Sequence, residues 1–567
     1  MPSTFSKRFL LYLGLLLGIN LIQAGLMDLI YDEAYYWHYA QTLDWGYFDH
    51  PPMVALMIKI SSFFFGGELG VRFIGVLMGV LGYALLWKLI SHPEKEKYIN
   101  LYFLLGLGLT LVHAYGFFTL PDTPLLFFTI VFLLVYKSFL QKATWLKALA
   151  MGLVMAALMY SKYHAVLVIL FTLASNLSLL RNKYAWFAVF ISLLAYAPHL
   201  WWLYSQEFVS IEYHLFERPN RAYEFADFTL GYLVNLVALF GLLFPFFYAA
   251  LFKQKLPKGD RFNRAMVFLS YGIILFFFLS SLNRRVQTQW MIVMSIPMFI
   301  ITFQWLLAKS NWRKWAMRLG MVQLVLLGYA RLWLVFPVLL PLHYEAHGNE
   351  QWVNDLKEQV GDKGVVFENS YRDAPMYAFY SGANTFSLNN LMYRRNQYSI
   401  DGSEAKLQHK DVAYLHGNWN KKADKPIHIT KSSGKELKGH YIDNFESYRK
   451  LRTYVVTEGT LPYNPGEEIT FSISNPYSES IPLNKLRFGI SYQNQFKQIC
   501  ENHGITVSAP EGIDSLKPGE TIGFRAQLPL AQMKNEKYKK KKPSYFKVLI
   551  SENGLLLGLN GNNVPLH

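Results

Sequence analysis

Residues 31–52 read YDEAYYWHYAQTLDWGYFDHPP. An apolar run, 9–27, ends just before this stretch, and another, 69–91, follows it. A run of about 20 apolar residues is long enough to cross a bilayer, so the stretch emerges from one span before the chain enters the next. Its rings, Tyr35, Tyr36, Trp37 and Tyr39, suit the aromatic belt that forms at a membrane–water interface. Such a belt does not account for the adjoining carboxylates Asp32 and Glu33 at a span end, nor for Asp49-His50-Pro51-Pro52. The two prolines fix the backbone and hold His50 out of helical conformation, in a rigid turn. Adjacent residues on a helix project about 100° apart, so one carboxylate can face a substrate while the other organises the loop.

Outward from this loop the chain divides in two. It is 52% hydrophobic, 17% aromatic and 17% charged, against about 25% charged residues in soluble domains. The apolar bias ends near residue 342. The reading predicts spans at 9–27, 69–91, 99–117, 122–140, 147–161, 164–180, 184–203, 228–252, 265–282, 290–308 and 319–338. This is a polytopic α-helical membrane protein of about eleven spans with a C-terminal soluble region. Residues 1–342 carry 27 Lys/Arg against 15 Asp/Glu, and residues 343–567 carry 28 against 24. With the N-terminus in the cytoplasm, the cations Lys7, Arg8, Lys88, Lys95, Lys97, Lys137, Lys142, Lys147, Arg181 and Lys183 fall in inner segments, with the clusters 253–264 and 309–318. That is the positive-inside pattern; it accounts for the basic balance without nucleic acid. An odd span count leaves the soluble region outside. Cys500 is the sole cysteine, so an internal disulfide and a Cys-based metal cluster are excluded.

Charges in the outer segments are then the ones to explain, because charge at membrane depth is costly and defaults to function. They include Asp32, Glu33, Asp44, Asp49, Arg72, Asp122, Lys162, Arg218, Arg284, Arg285 and Arg331. Asp122, in FFTLPDTPL, reads equally as a helix cap or as a second active-site acid. Lys162, in YSKYHA, reads as a snorkelling lysine or as a phosphate ligand. The double arginine of SLNRRVQTQW opposes the charge trend, and bidentate pairing with a phosphate suits it. In IEYHLFERPNR, His214 and Arg218 are four apart and share a face if helical. Arg331 lies deep in the last span with no role assigned.

The segment DEAYYWHYAQTLDWGYFDHPPMVALMI, residues 32–58, resembles the first periplasmic loop of the GT-C membrane glycosyltransferases. The likeness is to the branch of the lipid A aminoarabinose transferase and the protein O-mannosyltransferases, and it covers roughly residues 1–340. The resemblance implies a sugar donor linked through phosphate to a polyprenyl lipid, and a lipid, glycan or protein acceptor. It implies a bacterial inner membrane with the soluble region in the periplasm, and inversion at the anomeric carbon. Such chemistry needs a carboxylate to take the acceptor proton and cations to hold the growing phosphate charge. Asp32 is the expected general base, with Glu33 and Asp122 as the further catalytic acids. Lys162, Arg284, Arg285 and Arg218 are expected on the donor phosphate, and Tyr35, Asp49, His50, Tyr163 and His214 on substrate. His50, His214, Glu33 and Asp49 are metal-ligating types without diagnostic spacing, so no cofactor is certain and a divalent metal stays open. A DxD run and a Gly-rich phosphate loop are absent from the sequence, which disfavours a nucleotide-sugar donor. An oligosaccharide ligase or polymerase is the alternative enzyme. A lipid-linked-sugar flippase is the alternative outside that class; it predicts mid-span polar residues and repeated halves, and neither is evident.

The expected domains are 1–342 in the membrane, 343–449 as a small α/β domain and 450–567 as a small β-sandwich, immunoglobulin-like. EQWVNDLKEQVG and YRDAPMYAFYSG read as helices around the strand GVVFENS. LRTYVVTEG, EEITFSISN, KLRFGISYQ, TIGFRAQLPL and YFKVLISENG read as strands, with NPGEE and KPGET as turns. Tyr371, Arg372 and Asp373 follow a strand, where sites often sit, though packing explains them as well. A scaffold or partner role is expected of the sandwich. The basic run KYKKKK, 537–542, reads as a solvated loop or as a contact with anionic lipid or glycan.

Overall fold

A computed structural model of the chain describes residues 5–218, 221–256, 259–416, 425–457, 459–531 and 542–567. The chain forms two compact units: residues up to His347 apart from 220–222, and Gly348–His567 with 220–222. The KYKKKK run lies outside the described residues except for Lys542.

In the first unit, eight helices among the described residues are long and apolar enough to cross a membrane: Lys7–Leu26, Gly67–Leu89, Asp122–Gln141, Lys183–Ser205, Ala226–Lys253, Arg261–Ser280, Thr288–Leu307 and Ser310–Val335. Two more, Trp145–Ser161 and Ala165–Ser175, are apolar but shorter. The expected eleven is therefore corrected to eight, or ten with the short pair. Residues 99–117, expected as one span, break at Gly108 into Ile99–Leu107 and Thr110–Ala114. The helix 226–253 is also interrupted, at Gly241, whose φ of +54° is open to glycine. Both breaks free backbone carbonyls, and the Gln323 amide donates to one at each, Gly108 and Phe240.

Four helices start on polar caps: Ser6, Thr144, Asn182 and Asp260 accept the backbone N–H of Phe9, Lys147, Tyr184 and Asn263. Each cap contributes about 1 kcal/mol. Thr288–Leu307 is the enclosed centre of the bundle, 89% buried, whereas Lys7–Leu26 and Ser310–Val335 are 28% and 17% buried. Leu11, Leu15, Ile19 and Ile22 face outward on the first helix, an apolar surface suited to lipid rather than water. After the first helix the chain makes two short helices, Tyr31–Gln41 and Met53–Ser61, which pack on each other, and Met53–Ser61 also packs on Gly67–Leu89.

In the second unit, helix Asn349–Val360 leads into β1 (Gly364–Glu368), helix Asp373–Ser381 and β2 (Thr385–Leu388), followed by β3 (Lys410–His416), β4 (Ile427–Thr430) and β5 (Glu436–Phe445). These strands form one sheet in the order β2-β1-β3-β5-β4. β1 is parallel to β2 and β3, while β5 is antiparallel to β3 and β4. Trp352 packs with Phe367 and Tyr377 beneath the helices. Beyond it, two four-stranded sheets enclose Phe471, Phe488, Ile490, Tyr492, Phe524 and Phe546. All five expected strands are present, and strand 521–527 alternates buried and exposed along its length, as a half-buried strand does. Strand Ile499–Ile505 was not foreseen.

Candidate active site

The acidic pair separates into two environments. Glu33 is the third residue of its helix, and its carboxylate accepts the Ile30 N–H at 3.3 Å in a capping arrangement. It also accepts from Arg72 Nε and Nη2, at 2.9 and 2.6 Å, and from the Thr119 N–H at 2.8 Å. Both side chains are 0% exposed. The remaining Arg72 protons go to the carbonyls of Ala24, Met27 and Asp28. Glu33, expected among the catalytic acids, is thus a brace that ties the first-loop helix to two other segments. Asp32, one residue earlier, stays half-buried. Tyr115 lies within electrostatic reach of both Asp32 and Asp122.

Asp122 opens its helix without capping it, which sets the capping role aside. Both of its oxygens meet Lys162 Nζ, at 2.7 and 2.8 Å, and the two residues are 3% and 6% exposed. Lys162 is therefore no snorkelling surface lysine, and its ammonium is held by a carboxylate.

The loop 42–50 is pinned from one side by helix Lys183–Ser205 and the segment after it. Trp202 Nε1 donates to Asp44 Oδ2 at 2.8 Å, and Ser210 Oγ donates to the Tyr47 carbonyl at 3.0 Å. His214 Nε2 is 2.7 Å from the Asp49 carbonyl, and the Tyr39 hydroxyl donates to Asp49 Oδ1 at 2.5 Å. The His50 ring lies 5.5 Å from Tyr36 and 6.2 Å from His214. Burial, reinforced by Lys162, His214 and Arg218 against Asp49, pushes the His50 imidazole down to about 3. Burial likewise lowers His214. Arg284 donates to the His214 carbonyl at 3.3 Å, and Arg218 donates to Gln287 and lies 5.0 Å over the Trp290 ring. Tyr163 borders the group, its ring 5.8 Å from that of His214.

Lys162, His50, His214, Arg218 and Arg284 thus converge from four separate segments. Arg285 does not join them. It is 65% exposed and pairs with Asp227 at 3.3 Å, a correction to the double-arginine reading. Tyr35, expected on substrate, is 1% exposed and packed against Tyr36 and Tyr39. Among the described residues, no three of His50, His214, Glu33 and Asp49 bring ligand atoms within 4.8 Å of one another. Arg331 is held by Asn20 and Gln23, with Phe117 4.5 Å below its guanidinium, and so has a structural place.

The sequence reading missed Arg72 as the partner of Glu33, Tyr115 within reach of the two acids, and His164 and Trp290, whose rings lie 5.4 Å apart. The signal for His164 was its place two residues after Lys162. Beside Tyr115 and Thr123 an apolar cavity of about 60 Å³ lies between helices, lined by Gly79, Gly82, Tyr83, Phe127, Ile130 and Phe299 among others.

Residues 49–202 match the family described as dolichyl-phosphate-mannose-protein mannosyltransferase. The lipid A galacturonosyltransferase RgtD of Rhizobium johnstonii is 25% identical over 297 residues, which is 49% of this chain and 61% of that protein. The chain thus aligns with less than two thirds of that relative's length. The crystal structure of ArnT from Cupriavidus metallidurans in the apo state is similar with a TM-score of 0.51, at 15% identity, over 72% of this chain and 93% of that one. The structure of ArnT bound to undecaprenyl phosphate is similar with a TM-score of 0.53, at 13% identity, over 77% and 98%. At these identities the structural likeness is one of fold, and it joins the sequence match across residues 49–202. Together they agree with the resemblance read from residues 32–58: residues 49–202 are similar to the protein O-mannosyltransferase family, and the chain shares the GT-C fold of ArnT.

Proposed function

We propose that the protein is a glycosyltransferase. It takes a sugar from a polyprenyl-phosphate donor and attaches it to a hydroxyl of a lipid, glycan or protein acceptor at the outer face of a bacterial inner membrane. The observation that carries the reading is the convergence of Lys162, His50, His214, Arg218 and Arg284, with Lys162 paired to the carboxylate of Asp122. It is a basic cluster joined to an acid, which is what phosphate departure with proton abstraction requires. The structure of ArnT bound to undecaprenyl phosphate supports a lipid-phosphate donor, and RgtD supports a lipid acceptor.

In the proposed step the acceptor oxygen attacks the anomeric carbon and the bond from that carbon to the phosphate oxygen breaks. The acceptor proton passes to Asp32, and the electron pair leaves on the lipid phosphate. Single displacement inverts the anomeric centre. Arg218 and Arg284 meet the departing phosphate, His50, kept neutral by burial, can offer it one ring N–H, and His214 gives its own N–H to the Asp49 carbonyl and so fixes the loop. Asp122 holds the Lys162 side chain in place through both of its carboxylate oxygens. The apolar, glycine-rich lining beside Tyr115 has the polarity that a hydrocarbon tail needs. The positive-inside pattern supports a cytoplasmic N-terminus.

The test is sugar transfer in vitro from a defined polyprenyl-phosphate sugar by wild type, Asp32→Asn and Arg284→Ala. Asp32→Asn is expected to keep donor affinity and lose turnover by about 10²-fold or more; Arg284→Ala is expected to weaken donor binding. Full turnover in Asp32→Asn would remove it as the base, and no transfer from any polyprenyl-phosphate sugar would overturn the reading.

A further inference from the structure

The outer end of helix Lys183–Ser205 carries a buried imidazole outside the basic cluster. His199 is 0% exposed. Its Nδ1 lies 2.6 Å from the Trp45 carbonyl, and its Nε2 lies 3.2 Å from the Tyr163 hydroxyl. The rings of Tyr160, Tyr196 and Trp202 surround it, with centroids 6.2, 4.9 and 5.9 Å away. Trp45 belongs to the first outer loop. Tyr163 follows Lys162 in the break between helices Trp145–Ser161 and Ala165–Ser175. One side chain thus joins its own helix to segments 154 and 36 residues away in the chain.

These partners fix the chemistry of the ring. A carbonyl oxygen only accepts, so Nδ1 carries a proton. Enclosed by aromatic rings, the imidazole is held neutral by the cost of burying a charge, which leaves Nε2 as a bare acceptor. The Tyr163 hydroxyl then donates to it. Two further contacts seat the loop on the same helix end. Trp202, three residues after His199, donates to Asp44 Oδ2 at 2.8 Å. A Cβ on Gly46 would fall 2.3 Å from the Trp202 ring, so glycine is what lets the loop lie this close. At the other partner, Lys162 has extended backbone, with φ −166° and ψ 143°, and its ammonium is held by Asp122. An ion pair at the tip of a lysine leaves its flexible four-carbon stem loose. Tyr163, anchored through His199, fixes the backbone from which that stem starts.

We propose that His199 is a positioning residue for the basic cluster: its ring, held in one tautomer, locks the Lys162 turn onto the first outer loop and so sets where a lipid phosphate meets the Lys162 ammonium. The inference rests on the reading of that cluster as a lipid-phosphate site. His199 acts through Tyr163 on Lys162, and through Trp45 on the loop that ends in Asp49 and His50. Its two nitrogens divide the work, Nε2 serving Lys162 and Nδ1 serving the loop.

The test is calorimetric titration of the full-length protein in detergent with undecaprenyl phosphate and, separately, with undecaprenol. An asparagine amide can stand where Nδ1 stands, and a glutamine amide where Nε2 stands. His199→Asn therefore keeps the Trp45 contact and strands Tyr163, and His199→Gln does the reverse. His199→Asn and Tyr163→Phe should each weaken undecaprenyl phosphate by about 10-fold. The double variant Tyr163→Phe/His199→Asn should weaken it no more than either, because hydroxyl and ring form one contact. His199→Gln should bind within about 3-fold of wild type. Undecaprenol, which lacks the phosphate, should show no loss in any of them. Packing alone would harm the Asn and Gln variants alike, since both remove the ring, so an equal loss in the two overturns the proposal. A multiplied loss in the double variant, or a loss shared by undecaprenol, does the same. Where the His199 variants unfold early in a thermal scan, Tyr163→Phe decides, and its unchanged affinity overturns the proposal. Failure of wild type to bind undecaprenyl phosphate overturns the lipid-phosphate reading and this inference with it; binding by wild type that His199→Asn leaves intact overturns this inference alone.

Discussion

Replacing Arg72 with methionine tests how the two candidate acids are held in register. The guanidinium is 0% exposed and meets both Glu33 oxygens and the carbonyls of Ala24, Met27 and Asp28. Arg72→Met leaves the Glu33 carboxylate buried with only the N–H groups of Ile30 and Thr119. Removing one partner of a buried ion pair costs about 3–5 kcal/mol, chiefly because the other charge stays behind. Glu33→Gln keeps the shape and strands the arginine instead, at a similar cost. The double variant Glu33→Gln/Arg72→Met strands no charge, so its loss should fall short of the sum of the two by about 2–3 kcal/mol. The assay is unfolding in mixed detergent micelles titrated with SDS, carried out on all four proteins. Turnover is measured in parallel, because Asp32 adjoins Glu33 in sequence and Thr119 lies three residues before Asp122. Both single variants should lose turnover even at temperatures where they stay folded. Strict additivity, or a loss below about 1 kcal/mol for Arg72→Met, would refute the brace.

Two further outcomes follow from the same region. The folded His50 imidazole titrates at about 3, below its ordinary 6.5, so between those values the unfolded chain binds the extra proton and stability falls as pH falls. The drop from pH 7 to pH 5 should be about 2 kcal/mol; His50→Gln should flatten it, and an unchanged slope in that variant would refute the assignment. A Cβ on Gly75 would lie 2.4 Å from Thr119 Oγ1, so Gly75→Ala should cost about 1–3 kcal/mol in the same unfolding assay. Gly75→Ala/Thr119→Ala should recover most of that loss, and no recovery would locate the strain elsewhere.

The spans and strands were legible because their signal is local: apolar length and alternation survive in any tertiary setting. The break at Gly108 was hidden, since the residues either side are apolar enough to read through. The first loop was legible for its chemistry and less so for its division of labour. Asp32 and Glu33 are neighbours of one type, and only the contact with Arg72, 39 residues on, makes one a brace. Asp122 and Lys162 were each named, but for different tasks; their pairing spans 40 residues and leaves no periodic trace. Arg284 and Arg285 looked alike as a dipeptide, and opposite projection sent one to His214 and the other to Asp227. Residue type announced charge at the outer face, while long-range packing decided which charges meet.

The amide of Gln323 has a consequence for how the protein is made. It satisfies carbonyls at both interrupted helices, Gly108 and Phe240, and it belongs to the last helix of the membrane unit, Ser310–Val335. During synthesis the first interruption therefore waits through more than two hundred residues of translation, and the second through more than eighty, before their partner is inserted. A nascent chain cut short before Gln323 holds two frayed helices that no bilayer solvates. Completion of the last helix supplies the amide that satisfies both carbonyls at once.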